Sequence, residues 1–181
     1  MRQTSVRASG VERTFSHDEV IVSKTDVGGR MTYVNDVFVR VSAYSEEELI
    51  GKPHNLIRHP DMPRAVFKLL WDTIQAGNEI FAYILNLAGD GAHYWVLAHV
   101  TPTFSARGQI VGFHSNRRTP HRAALAQIQP AYERLLAEER RHSSTRDAVA
   151  ASAALLDEIV KSQAASYDEF IWSLEPEEVA R

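Results

Sequence analysis

The chain has 181 residues, 44% of them hydrophobic and 24% charged, with a formal net charge of −3; this is enough for one globular core with an appendage, and it argues against a nucleic-acid binder held by phosphate contacts. Cysteine is absent, which excludes disulfides, thiolate nucleophiles, cysteine-ligated zinc, iron–sulfur clusters and any photochemistry that needs a cysteinyl adduct. The first 15 residues lack the apolar centre of a signal peptide, and no later stretch approaches the ~20 apolar residues of a membrane span, so a cytoplasmic chain without direct membrane insertion is expected.

In chain order, a polar leader over 1–17 precedes two short runs, Glu19–Ser23 and Met31–Val34. The turn sequence from Asp26 to Arg30 joins them into an expected hairpin, and no G-x-G-x-x-G or Walker pattern makes a phosphate loop of Gly28-Gly29. Asn35 can cap a helix over Asp36–Val41, because its side-chain oxygen can accept from the first free amides. Ser45 with Glu46, Glu47 and Glu48 starts a second short helix that Gly51 stops. Pro63 opens a longer helix carrying Val66, Phe67, Leu70, Trp71 and Ile74 at helical spacing as far as Gly77. Ile80–Leu87 and His93–Thr101 flank a turn over Ala88–Gly91, and Gln109–Arg117 follows as a fifth strand. The expected class is α+β: a five-stranded antiparallel sheet with short helices on one face, plus C-terminal helices.

The domain proper therefore covers 18–119, and a helical extension covers 120–181. His121–Arg141 reads as a helix that Pro130 can kink. From Val149 the series Ala153, Leu156, Val160, Gln163, Tyr167, Phe170 and Leu174 steps by alternating fours and threes, a heptad-like seam. Two readings stand for it: a self-associating helix and a helix docked on its own domain. A homodimer to which this helix contributes is expected. The pairs Arg117-Arg118 and Arg140-Arg141 are read as solvated faces.

The run YVNDVFVRVSAYSEEELIGKPHNLIRHPDMP and the later HYWV resemble the PAS sensor domain of the bacterial aerotaxis receptor family, with the likeness extending from about Val20 to Arg118. The resemblance implies a PAS fold that binds FAD noncovalently and reports redox or oxygen-linked energy state to a signalling partner that the sequence does not identify. LNLAGDGAHYWVLAHVTP is also similar to the strand–hairpin–strand of light-oxygen-voltage flavin domains, which implies that the Asn86 amide contacts the flavin edge. Val96 stands where that branch carries a second asparagine, and its reactive-cysteine motif is missing, so redox sensing fits better than photoreception. Leu87 and Ala88 stand where basic residues commonly follow in the aerotaxis pattern.

A flavin dinucleotide needs an apolar slot, an amide or two and a cation. Arg58 can supply the cation for a phosphate or for the ring's carbonyl edge. Asp61 either orients Arg58 or His59 or caps the helix after it. His54 and His59 either face ligand or tie their loop, and Asn35 is a cap or a ligand contact. Trp71 and Trp95 are candidates for the slot or for the core; since alternation separates Trp95 from Tyr94, one of that pair alone can face it. Two alternatives remain. One is a cofactor-free PAS interaction or dimerisation module. The other is a haem-binding PAS sensor using one of His93, His99 and His114, none of which has a second ligand at metal spacing. No kinase, cyclase or response-regulator segment follows and no nucleophile–base set is evident, so a nonenzymatic protein is expected.

Overall fold

The computed structural model describes residues 6–175, and the remaining parts of the leader and of the extension lie outside them. Strands β1 (Ile21–Thr25) and β2 (Met31–Val34) form the expected hairpin, shifted two residues later at its start. Asp26 holds the turn, its Oδ1 accepting from Gly28 N–H and Arg30 N–H at 2.9 Å each, and Gly29 takes φ 77°. Helix α1 (Asp36–Ser42) begins at Asn35. The Asn35 Oδ1 accepts from Phe38 N–H at 3.1 Å and Val22 N–H at 3.0 Å, while its Nδ2 donates to Val20 O at 2.8 Å. One side chain thus caps a helix and ties it to β1, and its polar groups are all committed. A reciprocal Ser45–Glu48 capping box starts α2 (Glu46–Leu49). A 3₁₀ turn over His54–Ile57 leads to α3 (Arg64–Gln75), where Pro63 sits at the cap position.

Strands β3 (Ile80–Leu87), β4 (His93–Phe104) and β5 (Ile110–Arg118) complete an antiparallel sheet in the order β2-β1-β5-β4-β3. The fold is therefore the α+β arrangement expected. In the β3–β4 register Asn86 stands opposite Tyr94, Ile84 opposite Val96 and Ala82 opposite Ala98, so these share the face that looks toward α1–α3. Ser23, Phe113, Ser115 and Arg117 continue that face across β1 and β5. The free edge of β3 is covered by the chain just before α3: His59 N–H donates to Leu85 O at 3.4 Å, and Arg58 forms a bridge to Asn86.

The opposite face of β3 and β4 receives the extension. Helix α4 (Arg122–Arg140) runs through Pro130 and places Tyr132 against Trp95, its hydroxyl donating to Tyr83 O at 2.7 Å. Helix α5 (Thr145–Lys161) packs on α4 and on the back of α3, and α6 (Tyr167–Ser173) returns to β3, where Trp172 meets Phe81. The heptad-like seam is therefore two helices rather than one. Ser166 breaks it, its hydroxyl accepting from Glu169 N–H while the Glu169 carboxylate accepts from Ala165 N–H. Leu156, Val160, Phe170 and Leu174 are buried within a single chain, so the apolar stripe is a docking face already covered. The described part of the leader is docked as well: Arg13 N–H donates to His93 O at 2.7 Å, His93 N–H to Val11 O at 2.9 Å, and Phe15 is buried. Among the described residues no helix is long and apolar enough to cross a membrane.

Candidate functional site

Between α3 and the inner sheet face lies a cavity of about 190 Å³. Its apolar walls are Phe67, Leu70, Trp71 and Ile74 of α3 and Ile84, Ala98, Val100 and Phe113 of the sheet. Trp71 meets Phe113 edge-on, with centroids 5.5 Å apart. A Cβ on Gly29 would lie 2.9 Å from Trp71 Cη2, so the hairpin turn needs a glycine to seat the indole as well as to adopt its positive φ.

The polar groups that enter this lining come from three elements. Arg58, at the end of the 3₁₀ turn, donates through Nη2 to Met62 O at 2.8 Å and lies over the Phe67 ring at 4.8 Å, leaving its buried Nε without a partner. Burial lowers its pKa, helped by the Arg64 charge and opposed by Glu139. Asn86 projects from β3 with its buried Nδ2 unpartnered. Arg117 projects from β5 and is only 2% exposed. Its Nη2 donates to Ser23 Oγ and its guanidinium lies 4.5 Å from the Phe38 ring centroid, yet Nε and Nη1 are buried without partners. Burial lowers its pKa to about 10. His54 completes the group: its Nε2 is 3.3 Å from Ser23 Oγ, and burial together with the Arg117 charge holds it neutral, its pKa lowered to about 3.

Of the eight residues expected at a site, Arg58, Trp71, Asn86 and His54 line the cavity together. The other four do not, each for a physical reason. Asn35 has its amide committed to a cap and to β1. His59 is buried beside His93, and its Nδ1 accepts from Asp61 N–H at 3.1 Å, so it ties the loop. Burial holds its pKa down, with Asp61 pulling upward. Asp61 neither orients Arg58 nor caps α3; its exposed carboxylate lies 3.9 Å from Nδ1 of His59, the other partner expected for it, and 3.5 Å from Arg140, and the α3 cap is made instead by Glu139. Trp95 faces the opposite side of the sheet, against Tyr132, and Tyr94 takes the inner face with its hydroxyl buried and unpartnered.

Arg117 corrects the reading of Arg117-Arg118 as a solvated pair: Arg118 is exposed, but Arg117 is among the largest fully buried side chains. The missed signal is alternation along β5, which puts Phe113, Ser115 and Arg117 on one face. Arg140 and Arg141 are exposed as expected. The histidines weighed for haem are engaged with side chains: His99 with Glu79 at 2.7 Å and His114 with Asn116 at 3.0 Å, with His93 edge-on to His59. No group of three potential metal ligands occurs among the described residues.

The sheet order, the cavity under α3 and the sequence now meet one family: the model described as PAS fold matches residues 31–117. This stretch is a PAS domain. The chain is 39% identical over 118 residues to the aerotaxis receptor of Escherichia coli (strain K12), covering 65% of this chain and 23% of that protein. It is 27% identical over 99 residues to the nitrogen fixation regulatory protein of Klebsiella pneumoniae, covering 55% of this chain and 20% of that one. Among solved structures the PAS domain is similar to the dark structure of the blue-light photoreceptor Aureochrome1 LOV, with TM-score 0.52 and 24% identity, covering 56% of this chain and 76% of that chain. The chain thus spans under a quarter of the length of these two curated relatives.

Proposed function

We propose that this PAS chain is a cytoplasmic, nonenzymatic redox sensor that holds FAD noncovalently in the cavity under α3. The observation that carries the reading is a set of buried donors without acceptors, on Arg58, Asn86 and Arg117, at a cavity whose α3 wall is apolar. Buried donors left unpaired cost about 1–3 kcal/mol each, so the lining fits a ligand rich in acceptors on a flat apolar body. A flavin ring has that chemistry, and likeness to the aerotaxis receptor supports the choice.

When bound, the flavin supplies reversible electron and proton uptake at its ring. Trp71, Phe67 and Phe113 offer the apolar walls, and Arg58 and Arg117 hold fixed positive charge toward acceptors. Asn86 can present either its Nδ2 donor or its Oδ1 acceptor by rotating its amide, and so would pair with either a protonated or an unprotonated ring edge. Because Asn86 sits on β3, which also carries Tyr83 beneath α4 and α6, repairing there strains the strand that supports the C-terminal helices. A homodimer belongs to this proposal, with its contact outside the covered seam.

The test is the purified chain supplemented with FAD, followed by visible absorption, heat release and chromatography. Stoichiometric flavin recovered from folded protein supports the reading. A folded, colourless chain after supplementation makes it a cofactor-free interaction module, and recovery of haem replaces the ligand.

A further inference from the structure

Helix α3 has two working faces. Phe67, Leu70, Trp71 and Ile74 form a cavity wall, while Ala65, Lys68, Leu69 and Asp72 face α5 across a solvent-open cleft of about 250 Å³. Beside the buried Ala65, Leu156 and Val160, polar contacts also fix this interface. Those contacts converge on one side chain of α4. Glu139 Oε1 accepts from Arg64 N–H at 2.6 Å and Ala65 N–H at 3.3 Å, the first free amides of α3, and from Ser152 Oγ of α5 at 3.0 Å. Arg64 also reaches Thr145 Oγ1 at 3.4 Å, at the start of α5. The chain immediately before these amides is the cavity loop, in which the Arg58 guanidinium holds Met62 O. A short path of chain and hydrogen bonds therefore joins a cavity donor, the N-terminus of the cavity-wall helix, and an α4 carboxylate that also holds α5.

We propose that Glu139 is a positioning residue that couples occupancy of the cavity to docking of α5 on α3. The inference rests on the reading that the cavity takes a ligand. An acceptor drawn to the free Nε of Arg58 re-aims the guanidinium that holds Met62 O, shifts the Met62–Pro63 segment, and moves the two amides that Glu139 holds. By linkage, the same interaction lets α5 docking set how firmly Arg58 engages the ligand.

Amide hydrogen exchange of the full chain, with and without added FAD, tests this in wild type, Glu139→Ala, Glu139→Gln, Arg58→Ala and the Arg58→Ala/Glu139→Ala double variant. Exchange in β4 serves as the folding control. Loss of an N-terminal cap is expected to raise exchange at Arg64, Ala65 and across α5 about tenfold in Glu139→Ala with β4 unchanged. Glu139→Gln, which keeps an acceptor, is expected to fall between. In the ligand-free chain, Arg58→Ala is expected to alter α5 exchange when Glu139 is present and to add nothing when it is absent. FAD is expected to change α5 exchange in wild type and not in Glu139→Ala, with bound flavin read separately by absorption. Unchanged α5 exchange in Glu139→Ala, or additive effects of the two substitutions, would overturn the coupling. Failure of the wild type to bind FAD sinks the flavin reading while leaving the ligand-free arms decisive for the coupling.

Discussion

Replacing Arg117 with methionine gives effects of opposite sign on the empty and loaded chain. In the ligand-free chain the guanidinium is 2% exposed, with two N–H positions unpartnered and, among the described residues, no carboxylate paired with it. The substitution removes about 2–6 kcal/mol of unmet hydrogen-bonding cost. Against this it forfeits the bond to Ser23 Oγ and the contact with the Phe38 ring, about 1.5–3 and about 0.5–2 kcal/mol respectively. Methionine fills much of the volume, so little cavity cost is added. At the midpoints of these ranges the balance predicts a gain of about 0.5 kcal/mol in the ligand-free chain, read as a higher urea midpoint at unchanged m-value. With FAD present, loss of a charge-assisted donor pair is expected to weaken retention by more than tenfold, read by absorption after ultrafiltration. If Arg117→Met destabilises the empty chain by more than about 1 kcal/mol while flavin retention is unchanged, the arginine is part of the scaffold and the argument from unpaired donors fails.

His54 gives a pH prediction. Its folded pKa, near 3, lies below its unfolded value, so the unfolded chain takes up the proton first; the stability it contributes is complete above pH 6.5 and declines as pH falls toward 3. Urea titrations in this window are expected to lose up to about 1.4 kcal/mol per pH unit in wild type, and His54→Gln is expected to flatten that slope; equal slopes would refute the assignment. Leu156→Glu with Val160→Glu places two charges against the back of α3 within one chain. The double variant is expected to unfold or detach α5, seen as a lowered melting temperature and raised protease sensitivity. A folded variant of unchanged stability that merely turns from dimer to monomer in sedimentation would restore the seam as an intermolecular contact.

The parts of the fold that sequence shows plainly are those governed by short-range chemistry. Asp26 with Gly28-Gly29, Asn35 before α1 and the Ser45–Glu48 box each act within a few residues, and each is found in place. Long-range matters were less visible. Whether Tyr94 or Trp95 takes the inner sheet face depends on the β3–β4 register, where a one-residue change of turn reverses every side chain; the pairing of Ala88 N–H with Ala92 O settles it for Tyr94. Arg117 looked like half of a surface pair because adjacent charges ordinarily are, and only its place on the inner face of a central strand buries it. The seam's spacing continued past a stop that its own Ser166 and Glu169 signalled, because apolar period and capping signals were in conflict there and the cap prevailed. The cap on α3 was beyond reach altogether, since Glu139 lies 75 residues away.

The covering of the β3 edge by His59 and Arg58 also bears on how the chain behaves in concentrated solution. An open strand edge is a template for a second copy, and β3 is apolar along most of its length. The segment that shields it is the one that carries the cavity's Arg58, so disturbance of that loop uncovers an adhesive strand. Ligand loss and aggregation are thereby linked: preparations whose loop is ordered should remain dispersed, and damage to it should appear as precipitate before it appears as loss of the sheet.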